Sequence, residues 1–376
     1  MRFSVPGVGP LPTAEQVNRR LRQILAADSA QTGDGAHTDR LMLMLTRSCE
    51  LRCSYCFVAL SEMHYGQDHP PERVTEGVPA GDLSVETASR ALDLLMTSPK
   101  PRLSVQLFGG EPTRRWDTLQ AILHRAQRHP KRAGRPLELQ LTTNGVGLTD
   151  AQLTELAASP VIVQLSVDGD AHGNRFRRPH LPAASRPEAQ PEAIAARLNH
   201  HGVRWFLNVT VPPAACDELP ARYEQALALK APALQLNYAT GMRFSDAQAD
   251  AYLMGLWRVL ELDAQRKPPI QLMNWQNAAD PAPLCGDVIV DVDGALMQVG
   301  GIFHERRFPT LRAAYQHGHL DEARQFEGRR ASLMELWRRT KAALSPEEAE
   351  VFLSGMRLGA AQDLVCRLAD RQRRVG

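Results

Sequence analysis

The sequence predicts an α/β fold built on a parallel sheet, and three observations carry that expectation. Short apolar runs recur along the first two thirds of the chain, amphipathic stretches separate them, and a polar loop follows most runs. The runs are "LMLML" (41–45), "LSVQLF" (103–108), "LELQLTT" (137–143), "VIVQLSV" (161–167), "WFLNVTV" (205–211) and "ALQLN" (233–237). Near-continuous hydrophobicity over such short spans suits strands covered on both faces.

In order along the chain, residues 1–38 read as one helix and a loose linker. The first run leads into "TRSCELRCSYCFVAL" (46–60), and "GQDHPPERVTEGVPAG" (66–81) reads as a mobile loop and a candidate lid. Ser84 precedes Val85, Ala88, Leu92 and Leu95–Met96, which share one helical face. Thr149-x-x-Gln152 and Ser245-x-x-Gln248 are capping boxes. Alternating β and α units imply a right-handed array of about 200 residues, either a doubly wound sheet or a partial barrel. In both, ligands belong at the carboxyl ends of the strands. "GGEPT" (109–113), "TTNG" (142–145) and "SVDGD" (166–170) fall there with the cysteine loop. Each alone is a turn; four on one rim describe a site. From residue 284 the pattern changes: "DVIVDVDGALMQV" (287–299) reads as a hairpin with a two-residue Asp293-Gly294 turn, then helix to the end.

Bulk composition narrows the function. At 376 residues, with 43% apolar and 23% charged residues, the chain suits one large soluble domain with an appendage, or two domains. A formal net charge of +2 calls for neither nucleic acid nor an anionic membrane. No apolar stretch has the length of a signal peptide's core or a bilayer span, so a reducing, cytoplasmic setting is expected. There, clustered cysteines point to metal or catalysis before disulfides.

Half of the six cysteines, Cys49, Cys53 and Cys56, lie within eight positions. Four thiolates saturate a tetrahedral zinc or a cubane cluster; three leave one position open, as a catalytic metal requires. Half of a split zinc site, a two-cysteine redox pair, or coincidental buried cysteines are the competing readings.

Cys49-x3-Cys53-x2-Cys56 with Tyr55 and Phe57 resembles the signature of the radical S-adenosylmethionine (SAM) superfamily. "GGEP", "TNG" and "S-x-D-G" resemble its other landmarks, in order, over about residues 40–240. The resemblance implies a partial (β/α)6 TIM-like barrel over 39–245, one [4Fe–4S] cluster on the three cysteines, and SAM chelating the open iron. Reductive cleavage of SAM would yield a 5′-deoxyadenosyl radical that abstracts a substrate hydrogen. By position, Gly109, Gly110 and Glu111 would face the methionyl ammonium, Tyr55 the adenine, Asn144 the ribose, and Ser166 the ribose or methionyl end. Arg178, twelve residues after Ser166, would meet the SAM carboxylate, with Arg175 and Arg177 as close rivals. Asp168 reads as a cap or turn residue.

The segments "CSYCFVALSEMHYG" and "LFGGEP" resemble peptide- and protein-modifying maturases, including anaerobic sulfatase maturases. These carry a C-terminal SPASM or twitch extension, here expected over 246–376. The chain departs from them after the hairpin, where "MQVGGIFHERR" holds no cysteine, so one cluster per chain is expected. Cys285 reads as a small buried apolar residue or, more sharply, as a thiol returning hydrogen to a substrate radical. The basic run "HRAQRHPKRAGR" (124–135) reads as a solvated helix end away from the cluster. The resemblance implies a peptide or protein substrate and an electron donor such as flavodoxin or ferredoxin. The alternatives are a radical SAM enzyme of small metabolites and a non-catalytic, metal-stabilised binding protein.

Overall fold

The computed structural model describes residues 11–26, 38–58, 78–129, 134–179, 182–276, 284–328 and 331–375. Helix α1 (Ala14–Ala26) precedes strands β1 (Thr38–Met44) and β2 (Leu51–Cys53). Then come α2 (Val85–Leu95), β3 (Arg102–Phe108), α3 (Trp116–Arg128), β4 (Leu137–Thr143), α4 (Asp150–Ala158) and β5 (Val161–Ser166). After β6 (Arg177–Pro179) the alternation resumes with α5 (Pro191–His200), β7 (Trp205–Val211), α6 (Leu219–Ala228), β8 (Ala233–Tyr238) and α7 (Asp246–Gln265). The remainder is β9 (Gln271–Leu272), β10 (Val288–Val290), β11 (Ala295–Gln298), α8 (Val299–Ile302), α9 (Thr310–Tyr315), β12 (Gln316–His319), α10 (Leu333–Ala343) and α11 (Pro346–Val375).

Strands β1, β3, β4, β5, β7 and β8 lie side by side in chain order, all parallel. A doubly wound sheet would reverse its order part-way; this one does not, so the winding is that of an open partial barrel. Helix starts follow the sequence signals. Ser84 accepts the Thr87 N–H, and Thr149 and Ser245 form complete capping boxes. Helices α2 to α7 cover one sheet face through Val105, Leu107, Leu139, Leu141, Val163, Leu165, Leu207 and Leu236. Arg135, from the basic run, donates to Ser98 O at 2.7 Å and Met96 O at 3.0 Å, closing the carboxyl end of α2.

Three expectations need correction. The strands are not apolar on both faces. The alternate positions Gln106, Gln140, Thr142, Gln164, Ser166, Thr210, Gln235 and Asn237 are half-buried and polar. They bond across strands, as in Gln106 Nε2 to Thr142 Oγ1 at 2.9 Å, Gln140 to Gln164, and Asn237 Nδ2 to Asn208 Oδ1 at 2.6 Å. The hairpin turn is longer than two residues: Gly294 N donates to Asp291 O at 2.9 Å and Asp291 N to Ala295 O at 3.0 Å. Gly294, at φ +89°, takes the left-handed position of such a loop. The tail is not purely helical, since β12 pairs antiparallel with β11. The hairpin joins the main sheet, with β10 parallel to β1. Helix α7, which opens the expected extension, packs on α6 and its buried residues join the same core.

Among the described residues no helix is long and apolar enough to cross a membrane.

Candidate functional site

The cysteine loop sits at the carboxyl end of β1, stitched to the loop after β3 by backbone bonds. Gly110 N donates to Thr46 O at 2.8 Å, and Glu111 N to Ser48 O at 2.9 Å. Gly109, at φ +146°, lies so close that a Cβ would stand 2.5 Å from Thr46 O. Only glycine fits this approach.

Glu111 links this loop to the next. Its Oε1 accepts from Thr113 N (3.0 Å), Thr113 Oγ1 (2.7 Å) and Thr143 Oγ1 (2.7 Å), and its Oε2 from Asn144 N (2.8 Å). Asn144 Nδ2 donates to Glu50 Oε1 at 2.6 Å and stands 3.8 Å from Cys49 Sγ. Burial and the neighbouring Glu50 push the Glu111 carboxyl up to about 7 against the pull of its donors. Gly109, Gly110, Glu111 and Asn144 thus converge beside Cys49.

A second group forms around Cys53. Strands β2 and β6 pair antiparallel, with Cys53 opposite Arg177. Tyr55 Oη donates to Asp168 Oδ2 at 2.5 Å, and Asp168 Oδ1 accepts Thr210 N at 3.0 Å. Asp168 is therefore a buried tie between the cysteine loop and the strands, not a helix cap. Arg177 Nη1 donates to Asn174 Oδ1 at 3.2 Å, while its buried Nη2 has no hydrogen-bond partner. Arg175 is committed elsewhere, in an ion pair with Glu218. The Arg178 side chain lies outside the described residues, as do residues 59–77, which hold most of the expected lid.

Burial raises all the resolved thiol shifts here. Cys53 is pushed up to about 12, with Arg177 pulling it down and Cys56 pushing it up; burial, Glu50, Glu111 and Cys53 raise Cys49. Cys49 and Cys56 border an apolar cluster of Met42, Met44, Val58, Phe108, Ile289 and Met297, which Cys285 and Phe303 also touch. Phe57 stacks near Phe108 at 6.1 Å and Phe303 at 4.4 Å. Cys285 O accepts from Gly300 N at 3.0 Å. Ser166 ends β5 on the polar face, opposite Asn208. Cys216 and Cys366 are buried apart from this loop, among core helices. Among the described residues no three His, Cys, Asp or Glu side chains are gathered closely enough to hold a metal ion as they stand. The fit to a cluster lies in the donor set: three thiols on one short, largely buried loop.

Sequence reasoning missed the residues that brace this loop. Arg47, wholly buried, pairs with Asp291 at 2.7 Å and with Glu305. Arg312 joins both acids, at 2.6 and 3.1 Å. The only local signal was charge inside otherwise apolar surroundings.

Residues 43–212 match the Radical SAM superfamily. The GTP 3′,8-cyclase of Rhodococcus opacus (strain B4) is 30% identical over 225 residues, 54% of this chain and 59% of the cyclase. The PqqA peptide cyclase of Methylobacterium sp. (strain 4-46) is 29% identical over 197 residues, 52% of this chain and 45% of the cyclase. The chain thus spans about half the length of these curated relatives. Among solved structures, anSMEcpe with bound AdoMet, an anaerobic sulfatase maturase, is similar in fold. Its TM-score is 0.60 at 14% identity, over 82% of each chain. Members of the superfamily are enzymes that use a [4Fe–4S] cluster and SAM. The cysteine loop and the three polar loops at the strand ends all fall inside the matched segment, on the open parallel array that the fold likeness supports. Residues 43–212 are thus a radical SAM domain.

Proposed function

We propose that the chain is a radical SAM enzyme that modifies a peptide or protein. The observation that carries this reading is a neutral, amide-lined sheet face lying under a three-cysteine loop. When bound, the cluster and SAM supply a 5′-deoxyadenosyl radical able to take a hydrogen atom from substrate. Cys49, Cys53 and Cys56 would hold the cluster, and bound iron would keep deprotonated the Cys49 and Cys53 thiols that burial raises. The remaining work belongs to the chain. Gly109 and Gly110 bring backbone close to the cysteine loop, Glu111 fixes that loop to Asn144, and Ser166 and Tyr55 complete the rim. Arg178 remains a candidate for the SAM carboxylate; of the two neighbouring arginines whose side chains are described, Arg177 offers what that carboxylate needs, a half-buried guanidinium beside Cys53 with an unused N–H.

Two features favour a peptide over a nucleotide. Amides both donate and accept, matching the alternating N–H and C=O of an extended backbone. A triphosphate needs cations; among the described residues the strands of this face carry their charges, Arg40, Arg102 and Glu138, toward the amino ends, and the guanidiniums at the carboxyl rim, Arg306 and Arg307, are engaged with loop carbonyls. The likeness to GTP 3′,8-cyclases supports the small-molecule reading as the second. Anaerobically reconstituted wild type should cleave SAM to 5′-deoxyadenosine, and Cys53→Ala should not. Mass spectrometry of a co-expressed candidate peptide should then show a mass change, such as loss of two hydrogens. Wild type inactive on SAM with a competent reductant would sink the enzyme; turnover of GTP would establish the second reading. We also infer a single cluster per chain, and about eight irons rather than four would refute it.

A further inference from the structure

The segment after the hairpin lies across the cysteine loop. Arg306 Nη1 donates to Cys56 O at 2.8 Å and reaches Cys53 O at 3.5 Å. Arg307 Nη2 reaches Ser54 O at 3.4 Å. Arg52 Nη1 donates to Cys49 O at 2.9 Å. The main-chain carbonyl of each of the three cysteines is therefore held by a guanidinium. The same segment grips the start of the loop, because Glu305 pairs with Arg47, two residues before Cys49. One short stretch, residues 305–307, braces both ends of a loop more than 240 positions away.

We infer that Arg306 is a positioning residue for the cluster, acting through the carbonyls of Cys53 and Cys56 and through its charge. The inference rests on the cluster proposed above. The hydrogen bonds keep the main chain of the ligand loop in its folded path, so less backbone has to be ordered when the thiols gather on iron. The charge acts on redox poise. Each electron added makes a thiolate-bound cluster more negative, so a fixed cation alongside favours the reduced form and raises the potential.

Two variants of the full chain separate the effects. Arg306→Gln keeps an N–H donor and loses the charge; Arg306→Ala loses both. After anaerobic reconstitution, iron content, the rate of iron loss to a chelator, and the cluster midpoint by EPR-monitored titration are compared with wild type. The glutamine variant should retain near wild-type iron with a lower midpoint. The alanine variant should also shift down and lose iron about ten-fold faster. An unmoved midpoint in the glutamine variant overturns the electrostatic role, and that measurement stands even if the alanine variant fails to fold. Unchanged iron loss in a folded alanine variant overturns the bracing role. A wild type that takes up no [4Fe–4S] cluster would instead defeat the proposed function.

Discussion

The carboxylate of Glu111 accepts the backbone N–H of Asn144 at 2.8 Å, and the Asn144 amide in turn reaches Glu50. One backbone residue thus stands between two buried acids. Burial first, then Glu50, raises the Glu111 carboxyl to about 7 from the 4.5 of an unperturbed glutamate. A raised acid binds its proton more tightly folded than unfolded, so its contribution is present below pH 4.5 and lost as pH rises through about 7. Thermal stability of the cluster-free chain should decline across that window, and Glu111→Gln should flatten the decline. The variant should also loosen the Asn144 loop, because an amide N–H2 replaces one acceptor among four donors, a loss of ~1–3 kcal/mol. A wild-type melting profile level over that window would count against the buried, raised carboxyl.

Gly109→Ala tests the approach of the second loop to the first. The added Cβ meets Thr46 O at 2.5 Å with φ at +146°, so backbone must move. The strain alone is about 1–3 kcal/mol, and displacement of Thr46 carries into Cys49. Lower melting temperature together with reduced iron uptake is expected. Unchanged iron uptake would show that the two loops move independently.

Cys285 borders the apolar cluster that also touches Cys49 and Cys56, and its carbonyl is fixed by Gly300. A packing role predicts that Cys285→Ala costs about 1 kcal/mol of stability and leaves the rate of product formation intact. A rate lowered ten-fold or more, with SAM cleavage preserved, would assign the thiol to hydrogen return instead.

What the sequence disclosed depended on distance along the chain. Helix starts at Ser84, Thr149 and Ser245 are bonds across three positions, so their signals are local and hold in the structure. The six core strands were equally legible, because burial against helices writes apolar residues into each run. Their second face was visible but under-read: "LSVQLF", "LELQLTT" and "VIVQLSV" each carry glutamine between apolar residues, the alternation of a strand with one polar side. Gly109 and Glu111 stood out as a loop, yet nothing local showed that Glu111 spends itself on Thr143 and Asn144. The brace was illegible for a different reason. Arg47 meets Asp291 and Glu305 at separations of 244 and 258 residues, and such pairings leave no periodicity to read.

Arg47 also gives the largest stability prediction. Its side chain, Asp291 and Glu305 are all fully buried, with Arg312 as the second cation. Burial pushes both acids up; around Asp291 the two arginines overcome it and hold the carboxyl below the usual range, while Glu305 stays raised. Arg47→Met strands two buried carboxylates on a single arginine, a loss of about 3–5 kcal/mol. The damage should be pH-dependent. Without Arg47 both carboxyls rise above their unfolded values, so the variant is penalised least at acid pH and most above neutrality. Replacing Arg47, Asp291 and Glu305 together by apolar residues of similar size should recover much of the loss, while leaving Arg52, Arg306 and Arg307 to hold the cysteine loop. Urea midpoints for the single and triple variants at pH 5 and pH 8 decide the matter, both values chosen as about one unit or more either side of neutrality. A single variant equally destabilised at both pH values would mean that lost packing, not uncompensated charge, is what the brace supplies.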